Sequence, residues 1–436
     1  MGSPAGRPPP RPTAVIVDGY STGNFLPRAF ADLGVDVVHV QSTTDVIPTV
    51  LAPALHEYAA RYVCAGPNDV GVTVAALREH RPVAVLAGQE PGVVLADLLA
   101  ERLHLAGNGA AGSRARRDKH AMIEALRAAG LRCARQTKAR TAGDAVAWAA
   151  RHGSWPVVVK PLSSASTDHV AICPGPREVE AASAAVLGTR DLFHDANDEV
   201  LVQSFLPGTE YIVDTVSVDG SRYVCGVWEY VKTTTPAGRR IYDRDVLLAH
   251  DAPVVPALVR YVDRVLDVLG IRHGPAHSEV IMGPQGPALV EVGARLNGNM
   301  HPGFHDVCLG ANQADLTALA HARPGEFLRR YGGRSYTRRQ PAVVHSTSTA
   351  REGVVAAVDH AAVAAISALP SVHFTGVKLR PGQLLRPTVD LVTSPLRVFM
   401  TAPCAESLEV DLRAVRELKD RVYVLRSPAA VPAGQR

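Results

Sequence analysis

Two lysines, two glutamates and an arginine, placed in or at the ends of apolar runs, are the residues of this 436-residue chain best suited to chemistry. Lys160 closes the run WPVVVK, and an ammonium at the end of a buried strand needs an anion to replace its lost hydration. A phosphate meets that need. Ser163, Ser164, Ser166 and Thr167 follow, able to offer hydroxyls and backbone N–H groups to phosphate oxygens. A solvated polar turn would account for the serines but not for the lysine. Glu279 and Glu291 lie in GPAHSEVIM and PALVEVGA, two strand-like runs joined by the short turn GPQG, which predicts an antiparallel hairpin. If the register sets them opposite, two like charges share a site, which is costly unless cations bridge them. Hard oxygen donors beside phosphate imply Mg²⁺. Arg295 stands four residues beyond Glu291 in LVEVGARLNGN, where the strand gives way to Asn and Gly.

Other patterns look chemical and are read differently. GNGAAG, Gly107 to Gly112, satisfies G-x-G-x-x-G. A dinucleotide fingerprint joins a first strand directly to a helix, whereas this one follows the third or fourth element and precedes arginines, so it reads as a flexible linker. HGPAH (His273 to His277) and HPGFH (His301 to His305) carry the i,i+4 histidines of a zinc helix, but each encloses Gly and Pro, which break a regular helix. Structural or substrate roles are preferred for them. No Ser-His-Asp or Cys-His arrangement points to a protein nucleophile.

The elements that must position these residues follow from the hydrophobic pattern. Single cores rarely grow past roughly 250–300 residues, so several domains are expected, after a disordered tail over residues 1–12. Residues 13–116 alternate apolar runs and helix-like stretches, predicting an open parallel α/β domain. In 117–206 a helix carries Lys119 near its start, with Met122, Ile123, Leu126 and Ala129 at helical spacing and Gly130 as its stop, and the Lys160 strand follows. Residues 207–335 hold strands around a Leu-Pro-Gly turn, a polar segment from Lys232 to Asp251, a helix and the glutamate hairpin. Residues 336–436 read as short strands and turns around an Ala-rich helix, Val354 to Leu369.

Composition narrows the function. Charged residues are 20% of the chain and Lys+Arg exceed Asp+Glu by 46 to 42, too small a surplus for a nucleic-acid or membrane-surface binder. Six cysteines without a CxxC pair indicate neither a zinc knuckle nor a disulfide framework. No run reaches the ~18 apolar residues of a membrane span, and MGSPAGRPPPRPTA lacks the apolar core of a signal peptide. A reducing cytoplasm is the expected compartment.

Lys119 in RRDKHAMIEALRAAGL, Lys160 in VVVKPLSSAS, the segment VQSFLPGTEYIVD, and Glu279 with Glu291 and Arg295 together resemble the ATP-grasp superfamily, over residue 13 to about residue 400. TEYIVDTVSVDG with EVGARLNGN looks most like the L-amino-acid ligases within it. The resemblance implies an α/β and α+β ATP-grasp fold: an N-terminal open parallel α/β domain, a central lid subdomain, an antiparallel-sheet catalytic domain and a C-terminal β-rich extension. It implies an ATP-dependent carboxylate–amine ligase working through an acyl phosphate and releasing ADP and phosphate.

Carried over by position, the resemblance gives Lys119 and Lys160 to the nucleotide phosphates and Ser163, Ser164 and Ser166, with the rest of 163–169, to a mobile lid. Gln203, Phe205 and Leu206 match the hinge along adenine, and Glu210 the ribose-binding carboxylate. Glu279 and Glu291 match the ligands of Mg²⁺, two ions being expected and Mn²⁺ a substitute, and Arg295 the arginine that steadies the acyl phosphate. Gln203 stands where many relatives have Glu, the lid lacks the usual glycines, and Asn299 replaces one glycine of a Gly-Gly pair, its amide within reach of a metal or a substrate carboxylate. Asn tolerates left-handed backbone, so the turn survives.

His277 is the candidate base for the incoming amine, against a role in binding a carboxylate or supporting the strand. Trp228, Tyr230, Lys232, Tyr242, Met300 and His301 are candidates to shape the substrate pockets, the aromatics being as readily core. The expected partners are small-molecule carboxylates and amines or amino acids, with no nucleic acid and no membrane; homodimerisation is compatible with the sequence. A carboxylase or purine-type ligase, or an ATP sensor without catalysis, are the rival readings.

Overall fold

The structure, a computed structural model, describes residues 11–48, 50–163, 169–191, 193, 195–234 and 240–426. The expected tail therefore lies almost wholly outside the described residues, as do Ser164, Ser166 and most of the expected lid.

The N-terminal unit contains β1 (Thr13–Val17), α1 (Leu26–Ala31), β2 (Asp36–Gln41), β3 (Ala60–Val63), α2 (Asp69–Glu79), β4 (Pro82–Ala87) and α3 (Val93–Arg102). Its strands form a parallel sheet in the order β3-β2-β1-β4. All five residues of β1 are buried, with Ala14 and Ile16 feeding one core and Val15 and Val17 another. A strand covered on both faces needs apolar residues without alternation, which TAVIV supplies. The first of these cores continues into Leu296 and Met300, just beyond Arg295.

A helix, α4 (Lys119–Ala128), opens the second unit. The Asp118 carboxylate caps it, accepting from His120 N at 2.8 Å and Ala121 N at 3.0 Å, and so sets Lys119 in the first turn. Then come β5 (Gln136–Ala139), α5 (Ala142–His152), β6 (Val157–Pro161), β7 (Ala171–Cys173), α6 (Pro176–Val186) and β8 (Val200–Ser204). The four strands are antiparallel in the order β5-β8-β6-β7, and α5 and α6 cover them.

The rest of the chain comprises β9 (Thr209–Val218), β10 (Ser221–Thr234), β11 (Arg240–Leu247), α7 (Val255–Val268), β12 (Gly274–Gly283), β13 (Gly286–Gly293), α8 (Pro302–Leu309), α9 (Gln313–Ala322), α10 (Pro324–Tyr331) and β14 (Arg334–Ser335). Beyond them lie β15 (Ala342–Ser346), β16 (Gly353–Val358), α11 (His360–Ser367), β17 (Val372–Val377), β18 (Leu384–Leu385), β19 (Leu396–Thr401), α12 (Ala405–Leu418) and β20 (Tyr423–Arg426). A single sheet runs β13-β12-β9-β10-β11-β15-β19-β17, with β14 beside β10, while β18-β16-β20 form a small separate sheet. The large sheet therefore crosses the expected boundary at residues 335 and 336 without a break.

Three expectations are corrected. The polar segment from Lys232 to Asp251 contains β11, whose Tyr242 lines a cleft, whose Asp243 and Arg244 pair with Arg416 and Glu409 of α12, and whose Ile241 and Leu247 are buried. The expected Ala-rich helix is strand β16 followed by α11, because β-branched GVVAAV pairs with β20 and Asp359 then caps a new helix, accepting from Ala361 N at 2.9 Å and Ala362 N at 3.1 Å.

Third, the GNGAAG linker is pinned. The Asn108 side chain accepts from Arg272 N at 2.8 Å and His273 N at 2.9 Å. Arg116, 1% exposed, donates to Asp97 of α3 at 2.9 Å and to Leu269 O, just past α7, at 2.9 Å. This buried pair ties the N-terminal unit to the large sheet's helix. Removing one member of a buried ion pair leaves the other uncompensated. Arg116→Ala is expected to destabilise the protein by about 3–5 kcal/mol, read as a lowered denaturation midpoint; a loss no larger than the ~1 kcal/mol of a surface pair would refute this role.

Candidate active site

The site begins with a register. On the β12–β13 hairpin Glu279 stands directly opposite Glu291, and the ladder slips by a residue just after Glu279. Facing carboxylates repel, so their surroundings must be cationic. Lys119 Nζ, delivered by the first turn of α4, lies 2.7 Å from Glu291. Lys160 is buried at the end of β6 and lines the same cleft. Burial would raise the Glu291 carboxyl, but Lys119, Lys160 and Arg295 together hold it well below the ordinary carboxylate range. For Lys160, burial and the neighbouring Lys119 push the ammonium down to about 8 against the pull of Glu291, Glu279 and Glu210.

The cleft encloses about 920 Å³ including its open mouth. Of the residues expected from the sequence, it gathers Lys119, Lys160, Gln203, Phe205, Leu206, Glu210, Lys232, Tyr242, Glu279 and Glu291. Phe205 and Leu206 lie just past β8 and, with Val158 and Ile172, form an apolar wall. Gln203 Nε2 donates to Gln136 Oε1 at 2.8 Å, which orients its amide. Glu210 is paired with Lys232 and accepts from Tyr242 Oη at 3.2 Å; burial raises its carboxyl while Lys232 pulls it down. Ser163 donates to Asp191 at 3.0 Å.

Beyond the glutamates a polar network continues along one face of the sheet. Tyr230 Oη donates to Glu279 at 3.2 Å. His277 has Asp214 at 2.8 Å from Nδ1 and Glu279 at 3.4 Å from Nε2. Burial works against its charge, but Asp214 and Glu279 raise the imidazole to about 9. The ring thus bridges Asp214 and Glu279 and braces the latter. Asn297 donates to the other Asp214 oxygen at 2.8 Å, and Asn299 to Asp245 at 2.7 Å.

Arg295 does not line the cleft, though its charge acts on Glu291. Its Nε donates to Glu90 of the N-terminal unit at 3.1 Å, and its Nη1 to Leu296 O at 3.0 Å. At Gly293 a Cβ would lie 2.9 Å from the Glu90 carboxylate, so the close approach requires glycine there.

Three expected pocket residues lie elsewhere. Trp228, 2% exposed, packs on Phe304 and His305 within the main core. Met300 is buried in the core shared with α1. His301 caps α8 and stacks on Phe374 at 4.7 Å, in an aromatic nest with Phe25, His373 and Phe399. The residues missed from the sequence are Glu90, Asp214, Asn297 and Asp245. Asp214 could have been found, since Glu210 and Asp214 recur at period two in the otherwise apolar TEYIVDTV and must share a face.

Among the described residues no three His, Cys, Asp or Glu side chains form a metal cage. A pair of carboxylates beside a phosphate-sized cationic cleft suits Mg²⁺, which takes one or two protein carboxylates and fills its shell from phosphate and water. Among the described residues no helix is long and apolar enough to cross a membrane.

Residues 153–302 match the ATP-grasp domain family. The chain is 32% identical over 417 residues to dapdiamide A synthase of Enterobacter agglomerans, covering 94% of this chain and 96% of that one. Its fold matches an L-amino acid ligase from Bacillus licheniformis with a TM-score of 0.73 at 20% identity, covering 96% of this chain and 100% of that one. It also matches an ATP complex of carboxyaminoimidazole ribonucleotide synthase from Aspergillus clavatus with a TM-score of 0.69 at 15% identity, covering 94% and 99% of the two chains. With a cleft of matching chemistry and a relative alike over almost its whole length, the chain belongs to the ATP-grasp family, and it is an ATP-dependent carboxylate–amine ligase that forms amides.

Proposed function

We propose that the protein joins the carboxylate of one amino acid to the amine of a second through an acyl phosphate, converting ATP to ADP and phosphate. The carrying observation is that the register-paired Glu279 and Glu291 line one apolar-walled cleft with Lys119 and Lys160, with the charge of Arg295 acting on Glu291 as well. The names of the dapdiamide synthase relative and of the L-amino acid ligase fold neighbour support the same reading.

In this reading Val158, Ile172, Phe205 and Leu206 enclose the adenine, Gln203 meets its edge and Glu210 takes the ribose hydroxyls. Lys119 and Lys160 hold phosphate oxygens. Glu279 and Glu291 would hold two Mg²⁺ ions, replaceable by Mn²⁺, which supply positive charge to the β- and γ-phosphates.

A substrate carboxylate oxygen attacks the γ-phosphorus, and the bond to the ADP oxygen breaks. Lys160 and Arg295 stabilise charge on the transferred phosphoryl group. The amine then attacks the acyl carbon, phosphate departs with the C–O bonding pair, and the amine's proton passes to solvent. Tyr230 and His277 act by fixing Glu279. Glu90 fixes Arg295 from the N-terminal unit.

With ATP, Mg²⁺ and pairs of amino acids, ADP and phosphate should form only when both substrates are present; AMP and pyrophosphate would instead mean adenylation. Glu291→Ala should lower turnover by roughly 10²–10³-fold or more in a chain that still folds, and near-normal turnover would refute the metal assignment. The third expectation concerns pH. Lys160 binds phosphate as an ammonium, so kcat/KM for ATP should fall as pH rises through about 8, where its charge is lost. Lys160→Arg should move that fall above the accessible range; a wild-type profile flat from neutral pH to well above 8 would exclude this role.

A further inference from the structure

The amide of Gln203 is held by a chain of hydrogen bonds that begins outside the cleft. Gln136, Gln203 and Val158 stand in one row across β5, β8 and β6. Gln203 and Val158 line the cleft, while Gln136 lies behind them and bonds to α4. Gln136 Nε2 donates to Glu124 Oε1 at 2.8 Å and to His120 O at 2.9 Å, and Gln136 Oε1 accepts from Gln203 Nε2 at 2.8 Å. The other Glu124 oxygen accepts from Arg127 Nε at 3.2 Å. Burial raises the Glu124 carboxyl, but the bonds from Gln136 and Arg127 outweigh it and keep the group below its ordinary range, hence ionised.

A glutamine amide can sit either way round, since its two ends have nearly the same size and shape. This chain of bonds has one direction. A carboxylate and a peptide carbonyl only accept, so Gln136 must give its NH₂ to α4 and keep its oxygen for Gln203. Gln203 must then give its NH₂ to Gln136, and among the described residues nothing donates to its own Oε1. A purine with an amino group at position 6 supplies a donor; one with an oxygen there presents a second acceptor. Two acceptors facing each other lose the bond and leave both groups unpaired.

We propose that Glu124 is a positioning residue for nucleotide choice: acting through Gln136, it fixes the direction of the Gln203 amide and so favours a 6-amino over a 6-oxo purine. Neither Glu124 nor Gln136 is among the walls of the cleft. Helix α4 thereby serves both ends of the nucleotide, with Lys119 in its first turn at the phosphates and Glu124 governing the base. The inference rests on the placement of adenine beside Gln203 in the reading above, and deepens it by naming what sets the preference.

The test measures Kd of the full chain for ATP and for ITP, each with Mg²⁺, by titration calorimetry, so that the identity of the amino acids does not enter. ITP carries the 6-oxo group without the 2-amino group of guanine, and its altered N1 is the same for every variant. Wild-type protein should bind ATP at least roughly 10-fold more tightly than ITP. The Glu124 side chain is 41% exposed, so it can be replaced without opening the core. Glu124→Lys puts a cation beside Gln136, whose charge-assisted bond to the amide oxygen outweighs the neutral bond to His120 O and turns both amides over. The ATP-to-ITP preference should then fall roughly 10-fold. Adding Gln136→Glu to Glu124→Lys returns an acceptor-only group to Gln203 and should recover most of the preference. Gln203→Leu should reduce the preference on its own. If Gln203→Leu reduces it and Glu124→Lys does not, the relay is refuted while the adenine placement stands. An unchanged preference in Gln203→Leu would refute both. Equal weakening of the two nucleotides in Glu124→Lys, without recovery in the double variant, would reduce Glu124 to a support of the fold and overturn the proposal.

Discussion

Two carboxylates on neighbouring strands, held opposite one another by backbone hydrogen bonds, set the terms for everything around them. Glu279 and Glu291 cannot move apart without breaking the β12–β13 ladder, so their repulsion must be met by positive charge arriving from elsewhere. The chain brings it from three separate places: the first turn of a capped helix, the end of a strand in another sheet, and the loop after β13. A bound nucleotide with its metal ions would enter a site already arranged as alternating charge. Electrostatic preorganisation of this kind is the main means by which proteins speed phosphoryl transfer, since the protein contributes little covalent chemistry of its own.

Around that centre the structure is braced by pairs that join remote parts of the chain. Arg295 reaches Glu90 across 205 residues, and Arg116 ties α3 to the end of α7. His277 is clamped by Asp214, which Asn297 holds in turn. These contacts limit the freedom of side chains whose work depends on position, because small displacements of a reacting group are costly in rate.

What could be read from the sequence was decided by contrast. Lys160, Glu279 and Glu291 stood out because each interrupts an apolar run, and a charge in a buried strand demands an explanation. The parallel N-terminal sheet was legible for the same reason, from runs such as TAVIV with no polar face. β11 was not, because Tyr242 turns its hydroxyl to the cleft, Asp243 pairs with Arg416 and Asp245 with Asn299, and a half-polar strand resembles a loop. Trp228, which the sequence leaves open between pocket and core, is core, since the alternation of a strand tells which residues share a face but not where along it the packing ends; Met300, in the loop before α8, packs into the core shared with α1. Glu90 gave no local sign, as its partner lies in a different unit.

The unbroken sheet carries a lesson for protein engineering and for descent. β15, β19 and β17 are woven into the same hydrogen-bonded layer as the glutamate strands, so the last quarter of the chain is not a detachable appendage. Chimeras that splice this portion from one homologue onto another would transplant part of the catalytic platform, and the graft should take only where the β11–β15 seam is matched in pleat and side-chain size. Lineages diversifying what they condense would then be expected to change both sides of that seam together.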